Sequence, residues 1–125
     1  MSHLTPILTV ILILFFTFAS SIKLLGWQKY IFDTQLAFFE KYGLNRRMMG
    51  LVGVIELSAS LLLILALSGS NFNLAKEMGA SLILVTSIGA IFFHLRFDTW
   101  RDAVPAIVTG IMSGLVLIQS LVLLW

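Results

Sequence analysis

The sequence contains no cysteine, and only 11% of its 125 residues are charged. The missing cysteine excludes disulfides, thiol chemistry, iron–sulfur clusters and zinc held by cysteine. The two histidines, His3 and His94, lie far apart in the chain, so we expect no metal site. P-loop, Gly-x-Gly-x-x-Gly, His-Glu-x-x-His and nucleophile-elbow motifs are missing, as is any basic stripe for nucleic acid. The sequence therefore offers no motif of the common soluble enzymes.

Apolar residues, by contrast, are in excess and make up 59% of the chain. A soluble domain has roughly 45–50% apolar and about 25% charged residues. Because a domain this short buries a small fraction of its surface, water could not surround so much apolar area. We expect residues 1–125 to form one membrane domain whose surroundings are the lipid bilayer.

Four apolar runs are predicted at about 4–24, 48–67, 74–95 and 103–124. Each is close to the roughly 20 residues that cross about 30 Å of hydrocarbon as a helix. A signal peptide would also resemble the first run, but no Lys or Arg precedes it, so we expect a retained span. The predicted fold is all-α, a polytopic four-transmembrane-helix bundle.

The ends of these runs carry helix signals. Asn45, Asn73 and Asp102 are candidate N-caps for the second, third and fourth spans. Pro105 suits the first turn of the fourth span. The polar residues 68–71 predict a tight turn between the second and third spans.

The loop between the first two spans predicts a short interfacial helix at about 33–42. Asp33 would cap it and Gly43 would end it. One face of this helix gathers the apolar residues Ile31, Phe32, Phe38, Phe39 and Tyr42. The helix would either connect two spans along the membrane surface, which is the simpler interpretation, or act as a lid over the bundle.

Basic residues predict the orientation of the chain. Seven of the eight Lys and Arg residues lie in or next to the first and third loops, and Lys76 alone lies next to the second. The positive-inside rule places loops one and three in the cytoplasm of a bacterial cell and both termini outside. Trp27, Tyr30 and Trp100 would then lie at the inner membrane interface, and Trp125 at the outer one.

Three ionisable residues fall within the predicted spans or at their ends, namely Lys23, Glu56 and His94. An ionised carboxylate costs several kcal/mol in hydrocarbon unless it is paired, so Glu56 should face inward. Lys23 is its natural partner at similar depth, with His94 adjoining. The alternatives are that Lys23 extends to the interface and that His94 is an interfacial hydrogen-bonding residue.

Small polar residues support this cluster. Ser60 shares a narrow helical face with Glu56 and Gly53. Interhelical hydrogen bonds are predicted for Thr86, Ser87, Thr109 and Ser113. Gly110 and Gly114 form a Gly-x-x-x-Gly pair, which favours packing within the bundle over dimerisation.

The order and spacing of these motifs resemble the DoxX-like family of small four-helix membrane proteins. The segments that carry the resemblance are Ser21-Ile22-Lys23-Leu24, Gly50-x-x-Gly53-Val54-Ile55-Glu56-Leu57, Gly89-Ala90, Phe93-His94-Leu95 and Pro105. By this resemblance, Lys23, Glu56 and His94 match the family's characteristic polar positions. The family's name comes from a subunit linked to thiosulfate:quinone oxidation.

Three functions are compatible with the sequence and the resemblance. The first is an accessory or binding protein whose polar cluster holds a small amphipathic ligand, such as a quinone or lipid, or a partner subunit or second copy. The second is a quinone-linked redox enzyme subunit, which rests mainly on the resemblance. The third is a small transporter, which four spans without an inverted repeat make least favourable. We expect no resident cofactor other than a quinone, and a non-enzymatic role more than catalysis.

Overall fold

The computed structural model describes residues 4–69 and 72–122, which fold into five helices. These are α1 (Leu4–Leu25), α2 (Lys29–Lys41), α3 (Arg46–Leu67), α4 (Asn73–Phe97) and α5 (Trp100–Val122). All except α2 are long and apolar enough to cross a membrane. The predicted all-α bundle with four spans is confirmed.

The helix ends refine the predicted spans. Asn45 caps α3, its side chain accepting a hydrogen bond of 3.0 Å from the Met48 amide. Asn73 is not a cap, because α4 starts at this residue and the cap position belongs to Phe72. Asp102 also is not a cap. It lies in the first turn of α5, where its carboxylate accepts hydrogen bonds from the amide and hydroxyl of Thr99.

Parts of two further predictions lie outside the described residues. They concern the end of the fourth span, including the interfacial residue Trp125, and the middle of the turn at 68–71.

The connecting helix α2 starts at Lys29, earlier than predicted, because Gln28 rather than Asp33 caps it. The Gln28 side chain accepts a 2.8 Å hydrogen bond from the amide of Ile31. Asp33 instead forms an exposed ion pair with Lys29, at 3.1 Å. The predicted stop at Gly43 is confirmed: this glycine has φ +84°, in the left-handed region that suits it after a helix.

The four spans form a ring in which α1 packs on α3, α3 on α4, α4 on α5 and α5 on α1. Helix α2 lies across one end of this ring and packs on α1 and α3. The apolar core consists of Leu12, Phe16, Ala59, Leu63, Ala80, Ile83 and Val116. Large apolar side chains also cover the outside, as lipid requires; Leu14 and Val85 are 67% and 68% exposed.

Glycines set how closely the spans approach. A Cβ added at Gly79 of α4 would lie 3.0 Å from the Ala59 carbonyl oxygen of α3. A Cβ at Gly53 of α3 would lie 3.0 Å from the Cβ of Lys23 on α1. The missing side chain at Gly53 therefore lets the end of α1 pack directly on α3, one helical turn from Glu56.

Candidate functional site

A buried ion pair joins α1 to α3. Lys23 Nζ lies 3.0 Å from Glu56 Oε1, and the two side chains are only 9% and 6% exposed. Lys23 therefore points inward and does not extend to the interface. The two charges compensate each other, so neither is left unpaired in the interior of the bundle.

His94 occupies a second polar cluster, centred on Asp98 in the turn between α4 and α5. Its Nδ1 lies 2.9 Å from Asp98 Oδ2 and 3.0 Å from the Tyr42 hydroxyl oxygen. The Tyr42 hydroxyl donates to the same Asp98 oxygen at 2.6 Å, and the ammonium of Lys41 pairs with the other one. A carboxylate can only accept, so the contact with Asp98 requires a hydrogen on Nδ1 of His94. In the neutral ring, Nε2 is then the acceptor nitrogen.

The electrostatics of this second cluster favour an ionised Asp98. Burial acts to raise its pKa, but hydrogen bonds from Lys41, Tyr42 and His94 outweigh burial and lower the pKa from 3.8 to about 2. Burial and the hydrogen bond to Asp98 both raise the pKa of Tyr42, so its hydroxyl stays protonated. Asp98 thus holds the C-terminal end of α2 against the α4–α5 turn.

Two adjoining cavities lie between α2 and the ring of spans, with volumes of about 330 Å³ and about 420 Å³. The first is bounded by α1, α2, α4 and α5 with Glu56 of α3, and the second by α2, α3 and α4 with Lys23 of α1. Because they share a wall, we call the two cavities together the α2 chamber. The shared residues are Lys23, Gln35, Phe38, Glu56, Thr86, Ala90 and His94.

The chamber brings the three predicted site residues to one place without direct contact between all of them. Lys23 and Glu56 touch each other, whereas the hydrogen bonds of His94 in the described chain go to Tyr42 and Asp98. His94 joins the ion pair only as part of the same chamber wall. Whether these residues bind or transform anything stays a prediction.

Comparison of the sequence with protein families agrees with this architecture. The model of the DoxX-like family matches residues 7–117, which is most of the chain. The chain belongs to the DoxX-like family. No curated protein and no solved structure matches it.

Among the supporting residues of this DoxX-like protein, one predicted interhelical bond forms. Ser87 of α4 and Thr109 of α5 share a hydrogen bond of 2.8 Å between their hydroxyl oxygens. The hydroxyls of Thr86 and Ser113 instead bond to carbonyls of their own helices, Leu82 and Gly110. The interhelical prediction is wrong for these two, because a helical Thr or Ser reaches its preceding turn without help from a neighbour.

The structure also describes the surroundings of Ser60 and of the Gly110–Gly114 pair. Ser60 is buried beside the ion-pair face, but its hydroxyl has no hydrogen-bond partner. Gly110 packs against α4, since an added Cβ would lie 3.5 Å from the Cβ of Ser87. Gly114 faces open space. Only the first glycine of the Gly-x-x-x-Gly pair therefore serves packing within the bundle.

Four polar residues of the site were missed from sequence, namely Gln35, Lys41, Tyr42 as a hydrogen-bonding group, and Asp98. Asp98 carried a usable signal, because it follows His94 by four residues and could face it one turn later. The others lie on α2 or at its C-cap, where the predicted apolar face indicates which side meets the bundle but not which polar groups bond there. Among residues 4–69 and 72–122, no group of three or more His, Asp or Glu side chains could hold a metal ion.

Proposed function

We propose that this DoxX-like protein binds a small amphipathic molecule, such as a lipid or a quinone, in the α2 chamber. The observation that carries the proposal is the buried Lys23–Glu56 pair in the wall of a cavity that α2 covers. An ion pair deep in apolar surroundings is costly to keep unless it has a use. Ligand sites in proteins are typically apolar cavities of a few hundred Å³ or more with a few convergent polar groups.

The lining suits an amphipathic guest. Phe38 and Ala90 supply apolar walls to both cavities, and Phe93 and Val52 extend the larger one. Lys23, Glu56 and His94 provide the polar groups. The head of the guest would lie beside the ion pair, and its apolar part would lie along α3 and α4 below α2.

Gly89 provides a way to fill the chamber without disturbing the helices. It lines the larger cavity, and a Cβ added there meets no atom within 4 Å. Gly114 on α5 is equally open but lines neither cavity. Gly89→Leu therefore tests occupancy of the chamber, and Gly114→Leu is its matched control.

The experiment is mass spectrometry of small molecules that copurify with the full chain in mild detergent. We expect one amphipathic species at a fixed ratio with the wild type and with Gly114→Leu. Gly89→Leu should reduce that ratio at least fivefold. An empty wild-type protein, or equal loading of all three, would count against the proposal. A copurifying protein in place of a small molecule would favour a docking role instead.

The orientation belongs to the same proposal: loops one and three lie in the cytoplasm of a bacterial cell. The basic residues support it, since α2 and the α4–α5 turn lie at the end that carries seven of the eight. The α2 chamber then opens in the cytoplasmic half of the membrane. Lys76 lies at the opposite end, where its ammonium bonds Gln119 at 3.2 Å.

A further inference from the structure

Helix α2 is the most loosely packed wall of the α2 chamber. The structure describes all thirteen of its residues, and none of these is buried. Each of the four spans, by contrast, buries at least five residues. An element with few buried contacts can open locally while the rest of the fold stays intact. Of the chamber walls, α2 is therefore the one that can move at the least cost.

A glycine in the left-handed region flanks α2 on each side. Gly26, between α1 and α2, has φ +66°, and Gly43, between α2 and α3, has φ +84°. A Cβ added at Gly43 would meet no atom within 4 Å, so packing does not restrain the backbone there. The hinges of lids are a few residues beside an element that absorb changes in φ and ψ. Both connections of α2 have this character, because glycine tolerates more backbone conformations than any other residue.

The start of α2 is held against the ends of α1 and α3. The indole of Trp27 donates a 3.0 Å hydrogen bond to the hydroxyl of Ser21. The guanidinium of Arg46 lies 5.0 Å from the centre of the Phe32 ring and donates to the carbonyl of Leu24 at 3.1 Å. These contacts join three helices at one point and make the start of α2 its fixed end.

The far end of α2 is held at Asp98. Lys41 and Tyr42 both bond to this carboxylate in the turn between α4 and α5, and the Tyr42 ring stacks on Phe93. Asp98 is buried, whereas Lys41 is half-exposed. All three polar groups would meet water once α2 lifts, so release exchanges their hydrogen bonds for bonds to water. The contacts at Asp98 are thus the point at which α2 can detach.

The interior of the chamber requires such a movement if a ligand is to enter. Lys23 and Glu56 are almost fully buried, and Gln35 and Phe38 of α2 stand in the walls of both cavities. A head group that comes to lie beside the ion pair must therefore pass α2 or separate two spans. Separating two spans breaks the packing of buried residues, whereas lifting α2 breaks mainly the contacts at Asp98.

We propose that α2 is a lid that opens the α2 chamber by releasing Asp98, with Gly26 and Gly43 as its hinges. In the closed arrangement seen here, Lys41 and Tyr42 hold the lid on the α4–α5 turn. When the lid opens, the α2 side chains leave the chamber wall and the ion pair becomes accessible from the membrane interface at that end. The proposal goes beyond the binding function, because it concerns access to the chamber for whichever ligand enters.

Thiol labelling measures the opening, since the chain contains no cysteine. Thr86→Cys places one thiol in the wall shared by both cavities, and Ser113→Cys places one in the buried face of α5, outside both cavities. The positions are matched, because each hydroxyl bonds to a carbonyl of its own helix. Each full-length variant is labelled with a water-soluble methanethiosulfonate in mild detergent, with and without Asp98→Asn.

Asp98→Asn should accelerate the labelling of Thr86→Cys at least tenfold, which corresponds to about 1.4 kcal/mol. The labelling of Ser113→Cys should be unchanged. Equal acceleration at both positions would mean that Asp98 holds the whole bundle together, and would overturn the lid. An unchanged rate at Thr86→Cys would overturn it as well.

Two milder variants decide the question if Asp98→Asn fails to fold. Tyr42→Phe retains the stacked ring, removes one bond to Asp98 and should accelerate the labelling of Thr86→Cys roughly threefold. Lys29→Gln removes the exposed ion pair with Asp33 on the same helix, and should leave the rate unchanged because exposed pairs contribute little. Equal labelling rates in these two variants would count against the lid.

Labelling needs no ligand, so the lid and the proposed function can fail separately. If Asp98→Asn exposes Thr86→Cys but the wild type copurifies empty, the lid stands and the binding function is overturned. If a ligand copurifies but Asp98→Asn leaves the labelling unchanged, the binding function stands and the lid is overturned, since the ligand then enters between two spans.

Discussion

The Tyr42 hydroxyl donates a 2.6 Å hydrogen bond to Asp98, across 56 residues of sequence. This bond joins the C-cap residue of α2 to the turn between α4 and α5, and Lys41 pairs with the same carboxylate. The Tyr42 ring also stacks on Phe93, with ring centroids 4.9 Å apart. The position of α2 over the chamber therefore depends on one buried carboxylate whose side chain is 1% exposed.

Replacing Asp98 by Asn should loosen α2. Asp98→Asn removes the charge that orders Lys41, Tyr42 and His94, and hydrogen bonds to charged groups contribute roughly 1.5–3 kcal/mol. We expect a loss of about 2 kcal/mol in the free energy of unfolding in detergent, together with faster proteolysis within α2. Tyr42→Phe retains the stacked ring and should lose about 1 kcal/mol. An Asp98→Asn protein as stable and as protease-resistant as the wild type would contradict this assignment.

Asp98 also predicts how stability depends on pH. Its pKa is lowered in the folded protein from 3.8 to about 2. A lowered carboxyl pKa stabilises the fold above the unfolded value, and this contribution is lost as the pH falls through the folded value. The wild type should therefore lose stability relative to Asp98→Asn between about pH 4 and about pH 2. Parallel melting curves across this range would argue against an ionised, hydrogen-bonded Asp98.

The Lys23–Glu56 pair should show strong coupling in a double-mutant cycle. Lys23→Met or Glu56→Gln alone leaves one buried charge without its partner, which costs about 3 kcal/mol or more. The double variant removes both charges and should recover most of that loss. Chemical or thermal unfolding in detergent measures the cycle. If both single variants keep wild-type expression, stability and ligand loading, the ion pair is incidental.

Two glycines should respond differently to the same small substitution. Gly79→Ala forces a Cβ to 3.0 Å from the Ala59 carbonyl and from Leu63, so α3 and α4 must separate. We expect a loss of about 1–3 kcal/mol, as for other overpacked sites. Gly114→Ala meets open space and should be neutral or slightly stabilising, because alanine favours the helix. Equal melting temperatures for the two variants would mean that the close approach at Gly79 is not needed.

The missing cysteine makes the orientation directly testable. Asp33→Cys on α2 and Asn73→Cys at the start of α4 each introduce a single thiol without changing any basic residue. A membrane-impermeant maleimide should label Asn73→Cys on intact bacterial cells, and Asp33→Cys only after lysis. The reverse pattern would place α2 and its chamber outside the cell.

Much of the fold was predictable because it follows from local chemistry. Hydropathy marks each span, and a residue such as Asn45 or Gly43 acts through the backbone of its own turn. The failures were also local: Gln28 displaced Asp33 as the cap of α2, and Phe72 rather than Asn73 precedes α4. In both cases the helix begins earlier than its apolar pattern indicated, because hydropathy alone does not fix where a helix starts.

The polar site was predictable only where the membrane forces the outcome. Glu56 had to face inward because lipid cannot solvate its charge, and Lys23 was the nearest cation at its depth. The partners of His94 could not be predicted in this way, because Tyr42 and Asp98 lie near the edge of the spans, where water would also satisfy them. No such constraint required them to meet.

The sequence by itself determined that this is a DoxX-like membrane protein with four spans, because apolar length and composition are summed along one chain segment at a time. Tertiary structure alone decided that α2 covers a chamber, that Asp98 holds it there, and that His94 bonds to Asp98 instead of to the ion pair. Those features depend on how the helices rotate and approach one another. That approach is set by contacts such as Gly53 on Lys23, which join residues distant in the chain.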